Sequence, residues 1–259
     1  MGIVNVTPDS FFAELRTADA ASAVERGRLL FDQGASIVDV GGESTRPGAT
    51  PVDEATELDR VLEVVSTLSA SGPVSIDTTK AAVARAAALA GAVMLNDVSG
   101  SLAALAGELG LAWVAMHAKG TPQTMQVDPR YDDVVAEVST WLAARAHEAR
   151  AAGVEDLWLD PGIGFGKTAA HNWSLLGHLD ELVSLAASLD ARLVVGTSRK
   201  RFLGLLGGRD EPVPAAERLD ASLATAVAAM VAGAAMVRVH DVAETVDAAR
   251  LLFDVPVAS

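Results

Sequence analysis

The chain has 259 residues, half of them hydrophobic and few of them aromatic, with a formal net charge of −14. That length suits one domain with a large core, residues 1–259 as a unit, and the composition is that of a folded chain. The acidity disfavours broad nucleic-acid binding, and the absence of cysteine excludes disulfides, thiolate metal sites and a cysteine nucleophile. No apolar run approaches membrane-spanning length and no secretory pattern opens the chain, so a cytoplasmic protein without a membrane partner is expected.

The chain opens inside an apolar run, Gly2–Val6, with a short leader ahead of it as an expectation. The spacing predicts strand 2–6 then helix 18–34, strand 36–40 then helix 53–70, strand 74–77 then helix 80–90, and strand 93–96 then helix 101–109. It continues with strand 112–116 and helix 132–152, strand 157–160 and helix 171–188, strand 192–197 and helix 215–232, and strand 235–239 and helix 242–253. The Gly/Pro-rich 203–218 stretch reads as a loop within one unit. Eight strand-then-helix units predict an α/β fold, a single (β/α)8 TIM barrel, with a doubly wound open sheet as the alternative.

Each predicted strand ends on polar or ionisable residues, and in a barrel those ends converge on one mouth. Helix capping explains an Asp or Asn at any single strand end, but eight together point to a site. Asp77, Asn96 and Asp160 suit a ligand rich in N–H donors, such as an aminopyrimidine ring. Lys200, Arg238 and His240, from the last two units, suit a phosphate or diphosphate. The competing readings are a surface ion pair of Arg238 with Asp241 or Glu244, and a helix-start role for His240. Both Lys200 and Arg238 are expected at the mouth, where substitution should spare folding.

Gly162-Ile163-Gly164-Phe165-Gly166-Lys167 lacks the full Walker spacing, which argues against a nucleotide triphosphatase. His171 and His178 share a helix face without an acidic or Cys partner at ligand spacing, so a surface reading outweighs a metal site. Trp113 and Trp158 read as core, Trp141 and Trp173 as helix packing.

These motifs together resemble the dihydropteroate synthase family. The resemblance is carried by Met1-Gly2-Ile3-Val4-Asn5-Val6-Thr7-Pro8-Asp9-Ser10-Phe11, Asp39 through Gly48, Ile76-Asp77-Thr78 and Asn96 through Gly100. It continues through Met116-His117 with Gly120-Thr121-Pro122, Asp160 through Lys167, Ser198 through Gly204 and Arg238-Val239-His240-Asp241. It implies a homodimeric folate-pathway transferase with a barrel fold, joining a pterin methyl diphosphate to 4-aminobenzoate. Asn5 would help bind Mg2+. Asp77, Asn96, Asp160 and Lys200, with Met116, would hold the pterin; Arg238 and His240 would take diphosphate oxygens. Asp77, Asp160, Lys200, Arg238 and His240 would carry the chemistry, a dissociative loss of diphosphate without a covalent enzyme intermediate. Thr45, Arg46, Pro47, Phe165 and Arg201 would shape the 4-aminobenzoate pocket.

One departure stands out. The family continues Pro-Asp-Ser-Phe-Ser-Asp-Gly-Gly in its first loop, whereas Phe12-Ala13-Glu14-Leu15-Arg16-Thr17 follow Phe11 here. The expectation is that the missing carboxylate contact is lost and that Phe11 or Phe12 packs over 4-aminobenzoate, with Glu14 as the weaker substitute; sulfonamide sensitivity is open to the same change. Two other readings remain: a pterin-dependent methyltransferase, which would not need the basic cluster, and an inactive pterin-binding paralogue.

Overall fold

The computed structural model describes residues 1–7 and 20–254. The first-loop residues Phe11, Phe12, Ala13 and Glu14 lie outside the described residues. The strands are β1 (Gly2–Asn5), β2 (Val38–Gly41), β3 (Val74–Asp77), β4 (Met94–Asp97), β5 (Ala112–Met116), β6 (Leu157–Asp160), β7 (Arg192–Val195) and β8 (Met236–Val237). They lie parallel in sequence order. A parallel bridge between Gly2 and Val239 closes β8 onto β1, and the Ile3 main-chain N–H donates to the Val239 carbonyl at 3.0 Å. That closure decides for the barrel and against the open sheet.

The helices are α1 (Ala20–Asp32), α2 (Glu54–Ser69), α3 (Ala81–Leu89), α4 (Ala103–Leu109), α5 (Val134–Ala151), α6 (Ala169–Gly177), α7 (Leu179–Ser188), α8 (Leu219–Val231) and α9 (Val242–Phe253). Asp53 caps α2 by accepting from the Thr56 N–H at 2.8 Å, and Asp133 caps α5. The single helix expected over 171–188 is two, because His178 after Gly177 leaves helical dihedrals at φ −125°. The loop expected over 203–218 carries two 3₁₀ turns, Arg201–Leu205 and Ala215–Arg218. Arg218 stitches them by donating to the Val213 and Arg199 carbonyls at 2.9 Å.

Alternation along each strand divides the core into two layers. Outward side chains, including Val38, Val40, Val74, Ile76, Leu95, Trp113, Leu157 and Leu159, pack under the helices. Inward-facing Ile37, Met94, Val114, Trp158 and Val194 gather with Met1, Ala112 and Met236 as an apolar plug inside the barrel. Two residues further along the same strands stand Asp39, Asn96, Met116, Asp160 and Arg238, so period-two geometry sets a polar layer directly above the plug. Trp113 and Trp158 are core, as expected. Trp141 packs edge-on against His117, and Trp173 against Phe202.

Candidate active site

The polar layer is organised around Arg238. Its Nε donates to Asp39 Oδ2 at 2.6 Å and its Nη2 to Asp77 Oδ2 at 2.9 Å. Asp39 is fully buried, and the same oxygen accepts from Asn96 Nδ2 at 2.9 Å. Arg238 thus pairs across the barrel, with neither Asp241 nor Glu244; Asp241 is taken by Arg199 in a two-point ion pair. The expectation that Arg238 sits at the rim and can be replaced without cost to folding is therefore corrected: its guanidinium neutralises two buried carboxylates. Burial pushes Asp77 up to about 7, while Arg238 pulls it down.

Asp160 lies at the end of β6, its Oδ1 accepting from the Gly162 N–H at 2.7 Å. Burial raises its pKa, opposed first by Lys200. Lys200, held down to about 8 by burial, donates to the Ile163 carbonyl and lies 4.8 Å from the centre of the Phe165 ring. The loop can pass this close only because it is glycine-rich. Gly162 and Gly164 have φ of +64° and +87°, and a Cβ at Gly162 would lie 1.7 Å from the His117 carbonyl oxygen.

His240 adds a neutral imidazole near Arg238. Its main-chain N–H donates to Ser198 Oγ at 3.1 Å, and Oγ lies 3.0 Å from its own Nδ1. With the Ser198 proton directed at Nδ1, Nε2 is left as the N–H donor, a tautomer assigned from the hydrogen-bond pattern. Burial first, then Arg238, Arg199, Arg46 and Arg26, hold its pKa well below the ordinary value, so the ring is neutral. Arg46 and Thr45 are half-buried in the β2–α2 loop, and Pro47 is exposed. Arg201, which follows Lys200, is exposed, and its guanidinium lies 3.9 Å from Glu211. Met116 is buried on the inward face of β5, and Asn5 ends β1 half-buried.

One strand-end acid is spent on the loop that follows it. Asp97 accepts from the Ser99, Ser101 and Leu102 N–H groups at 2.8–2.9 Å and from Trp113 Nε1 at 3.3 Å. Asp77 and Asn96, by contrast, spend their side chains inside the barrel.

Sequence reasoning singled out neither Asp39 nor Lys167 as a site residue. A charged residue at the inward parity of a buried strand was the available signal for Asp39. Lys167 is buried, with Nζ 2.8 Å from His117 Nδ1, and donates to the carbonyls of Gly162 at 2.9 Å and Phe165 at 3.1 Å. It is an internal strut for the β6–α6 loop, in keeping with the rejection of a triphosphate loop. Burial lowers its pKa to about 7 from the ordinary 10.5. Between those values the unfolded chain binds the proton that the folded chain has released, so stability rises with pH across this window. Wild type should accordingly gain melting temperature relative to Lys167→Met between pH 7 and pH 9; an unchanged difference in thermal melts would contradict the assignment.

The comparisons with known proteins place this mouth in a chemical class. A family model described as pterin binding enzyme matches residues 1–240, so the barrel is that of a pterin-binding enzyme. The chain is 47% identical over 263 residues to the dihydropteroate synthase of Mycobacterium leprae, covering 97% of this chain and 91% of that one. The Yersinia pestis dihydropteroate synthase solved with a sulfonamide drug superposes with a TM-score of 0.90 at 41% identity, covering 97% of this chain and 92% of that one. The Xanthomonas albilineans dihydropteroate synthase solved with 4-aminobenzoic acid gives 0.87 at 43% identity, covering 99% and 93%. The chain belongs to the dihydropteroate synthase family.

Proposed function

We propose that this chain condenses (7,8-dihydropterin-6-yl)methyl diphosphate with 4-aminobenzoate, giving 7,8-dihydropteroate and diphosphate. The observation that carries the reading is the two-sided layer above the apolar plug, with carboxylates and an amide beside Lys200, Arg238 and His240. Asn96 commits its amide nitrogen to Asp39, which turns its oxygen toward a ligand N–H. Asp160 commits one oxygen to Gly162 and keeps the other for the ligand. Met116 lines the pterin pocket. Arg238 spends two of its five N–H bonds on Asp39 and Asp77, and the rest, with His240 Nε2, can serve an anion.

As the C–O bond to diphosphate breaks, the buried carboxyl groups of Asp77 and Asp160 would favour the positive charge developing on the pterin. The amine nitrogen of 4-aminobenzoate then forms the C–N bond and releases one proton. Thr45, Arg46, Pro47, Phe165 and Arg201 would line that second pocket, which is also where a sulfonamide would bind.

Mg2+ would draw on few protein donors here. No group of three or more His, Cys, Asp or Glu able to cage a metal occurs among the described residues, and Mg2+ characteristically takes one or two protein oxygens plus substrate phosphates. Asn5 would supply the amide oxygen, and the ion would offset the charge of departing diphosphate. A cytoplasmic homodimer completes the reading. Exposed Val231, Leu251 and Phe253 on α8 and α9 offer apolar area that a second copy could cover, and no helix among the described residues is long and apolar enough to cross a membrane.

Diphosphate release with Mg2+ tests the reading. Release that depends on 4-aminobenzoate supports it, whereas methyl transfer or pterin binding without release favours the methyltransferase or inactive alternative. Within that assay, Lys200→Ala should lower kcat/KM at least about tenfold, since one charge-assisted hydrogen bond contributes about 1.5–3 kcal/mol. Its melting temperature should hardly move, because the lost amine is one that burial already disfavours. Wild-type kinetics would remove Lys200 from the site.

A further inference from the structure

Outside the barrel axis, three charged side chains meet behind the β2–α2 loop. Lys80, at the N-cap position of α3 and three residues beyond Asp77, donates Nζ to Glu43 and to Glu57. Glu43 lies in the loop two residues before Thr45. Glu57 stands in the first turn of α2 and is fully buried, on the face that otherwise presents Val61, Val64, Val65 and Leu68 to the core. Apolar residues are the rule at such a position, and a buried carboxylate is tolerated only when paired. Burial works against the charge of Lys80, yet Glu43 and Glu57 hold its pKa above the ordinary lysine value.

Other contacts fix the same loop at both ends. Arg60 Nη1 donates to the Gly42 carbonyl at 2.7 Å, and a Cβ at Gly42 would lie 2.7 Å from Val61 Cγ1. Further along, the Gly48 N–H donates to the Pro122 carbonyl and Gln123 Nε2 to the Ala49 carbonyl, both at 2.8 Å. Thr45, Arg46 and Pro47 therefore hang between two anchored points, and the charged anchor ties them to the loop that follows Asp77.

We propose that Lys80, by bridging Glu43 and Glu57, is a positioning residue for 4-aminobenzoate: it holds the Thr45-Arg46-Pro47 segment in its binding conformation before the substrate arrives. The proposal rests on the function proposed above. Preorganisation of this kind acts on the affinity for the second substrate rather than on the bond-breaking step. Glu43→Ala is the cleanest variant, because Glu57 keeps Lys80 paired and the fold intact.

The test is initial-rate kinetics on the full chain with pterin diphosphate and Mg2+, varying each substrate in turn. Glu43→Ala should raise the KM for 4-aminobenzoate about fivefold or more, with kcat and the KM for the pterin diphosphate within about twofold of wild type. Lys80→Met should do the same, and Lys80→Arg, which can still bridge two carboxylates, should restore the wild-type KM. If Lys80→Met does not fold, Glu43→Ala decides alone. A wild-type KM for 4-aminobenzoate in Glu43→Ala, or a parallel rise in both KM values, overturns the positioning role while leaving the proposed reaction standing. No turnover by the wild type overturns both.

Discussion

Replacing Arg238 with Met should lower kcat/KM by at least about a hundredfold, since two or more charge-assisted hydrogen bonds of about 1.5–3 kcal/mol each go with the guanidinium. The same change should also destabilise the fold. Asp39 and Asp77 would be left buried without their shared cation, and removing one partner of a buried ion pair typically costs about 3–5 kcal/mol. The loss should depend on pH. Asp77 is already raised to about 7, and without Arg238 its pKa moves further up. The folded state then binds a proton that the unfolded state has released, so stability falls as pH rises through this range. Thermal melts of Arg238→Met should thus recover toward wild type between pH 8 and pH 6. Normal kinetics with a pH-independent melting difference would show that Arg238 neither serves the ligand nor neutralises the two acids.

Asp160→Asn should weaken pterin binding by about 1–3 kcal/mol with the fold preserved, the cost of one mispaired buried polar group. The direction follows from the loop geometry. The Gly162 N–H points at one side-chain oxygen, 2.7 Å away, and an amide at this position must keep its oxygen there. Its NH2 group then faces the ligand, where the wild type offers a carboxylate oxygen to N–H donors. Affinity for 4-aminobenzoate, measured with a bound pterin product, should change less. Calorimetric titration showing unchanged pterin affinity would reduce Asp160 to a loop-fixing residue.

Much of the architecture is legible in the sequence because parallel strands and amphipathic helices have different periods. The strands predicted at 74–77, 112–116 and 157–160 match β3, β5 and β6 to the residue, and the other strands differ only at their ends. Closure was not legible from spacing; it rests on hydrogen bonds between the first and last strands, which no local pattern encodes. Strand-end position drew attention to Asp77, Asn96 and Asp160, because the inward parity that builds the plug continues into the polar layer.

The partners of those residues were less accessible. A local reading offered Arg238 the neighbouring Asp241 or Glu244, yet its carboxylates come from β2 and β3, nearly a full turn of the chain order away. Asp39 escaped for a related reason: its role appears only once Arg238 and Asn96 converge on one oxygen. The strut made by Lys167 depends on tertiary packing in the same way.

The most direct test of the central claim is chromatographic detection of 7,8-dihydropteroate from purified full-length chain, (7,8-dihydropterin-6-yl)methyl diphosphate, 4-aminobenzoate and Mg2+. The account predicts product in step with released diphosphate for the wild type, and a rate at least about a hundredfold lower for Arg238→Met under the same conditions. Diphosphate released without formation of the C–N bonded product, or no reaction by a folded wild-type chain, would contradict it.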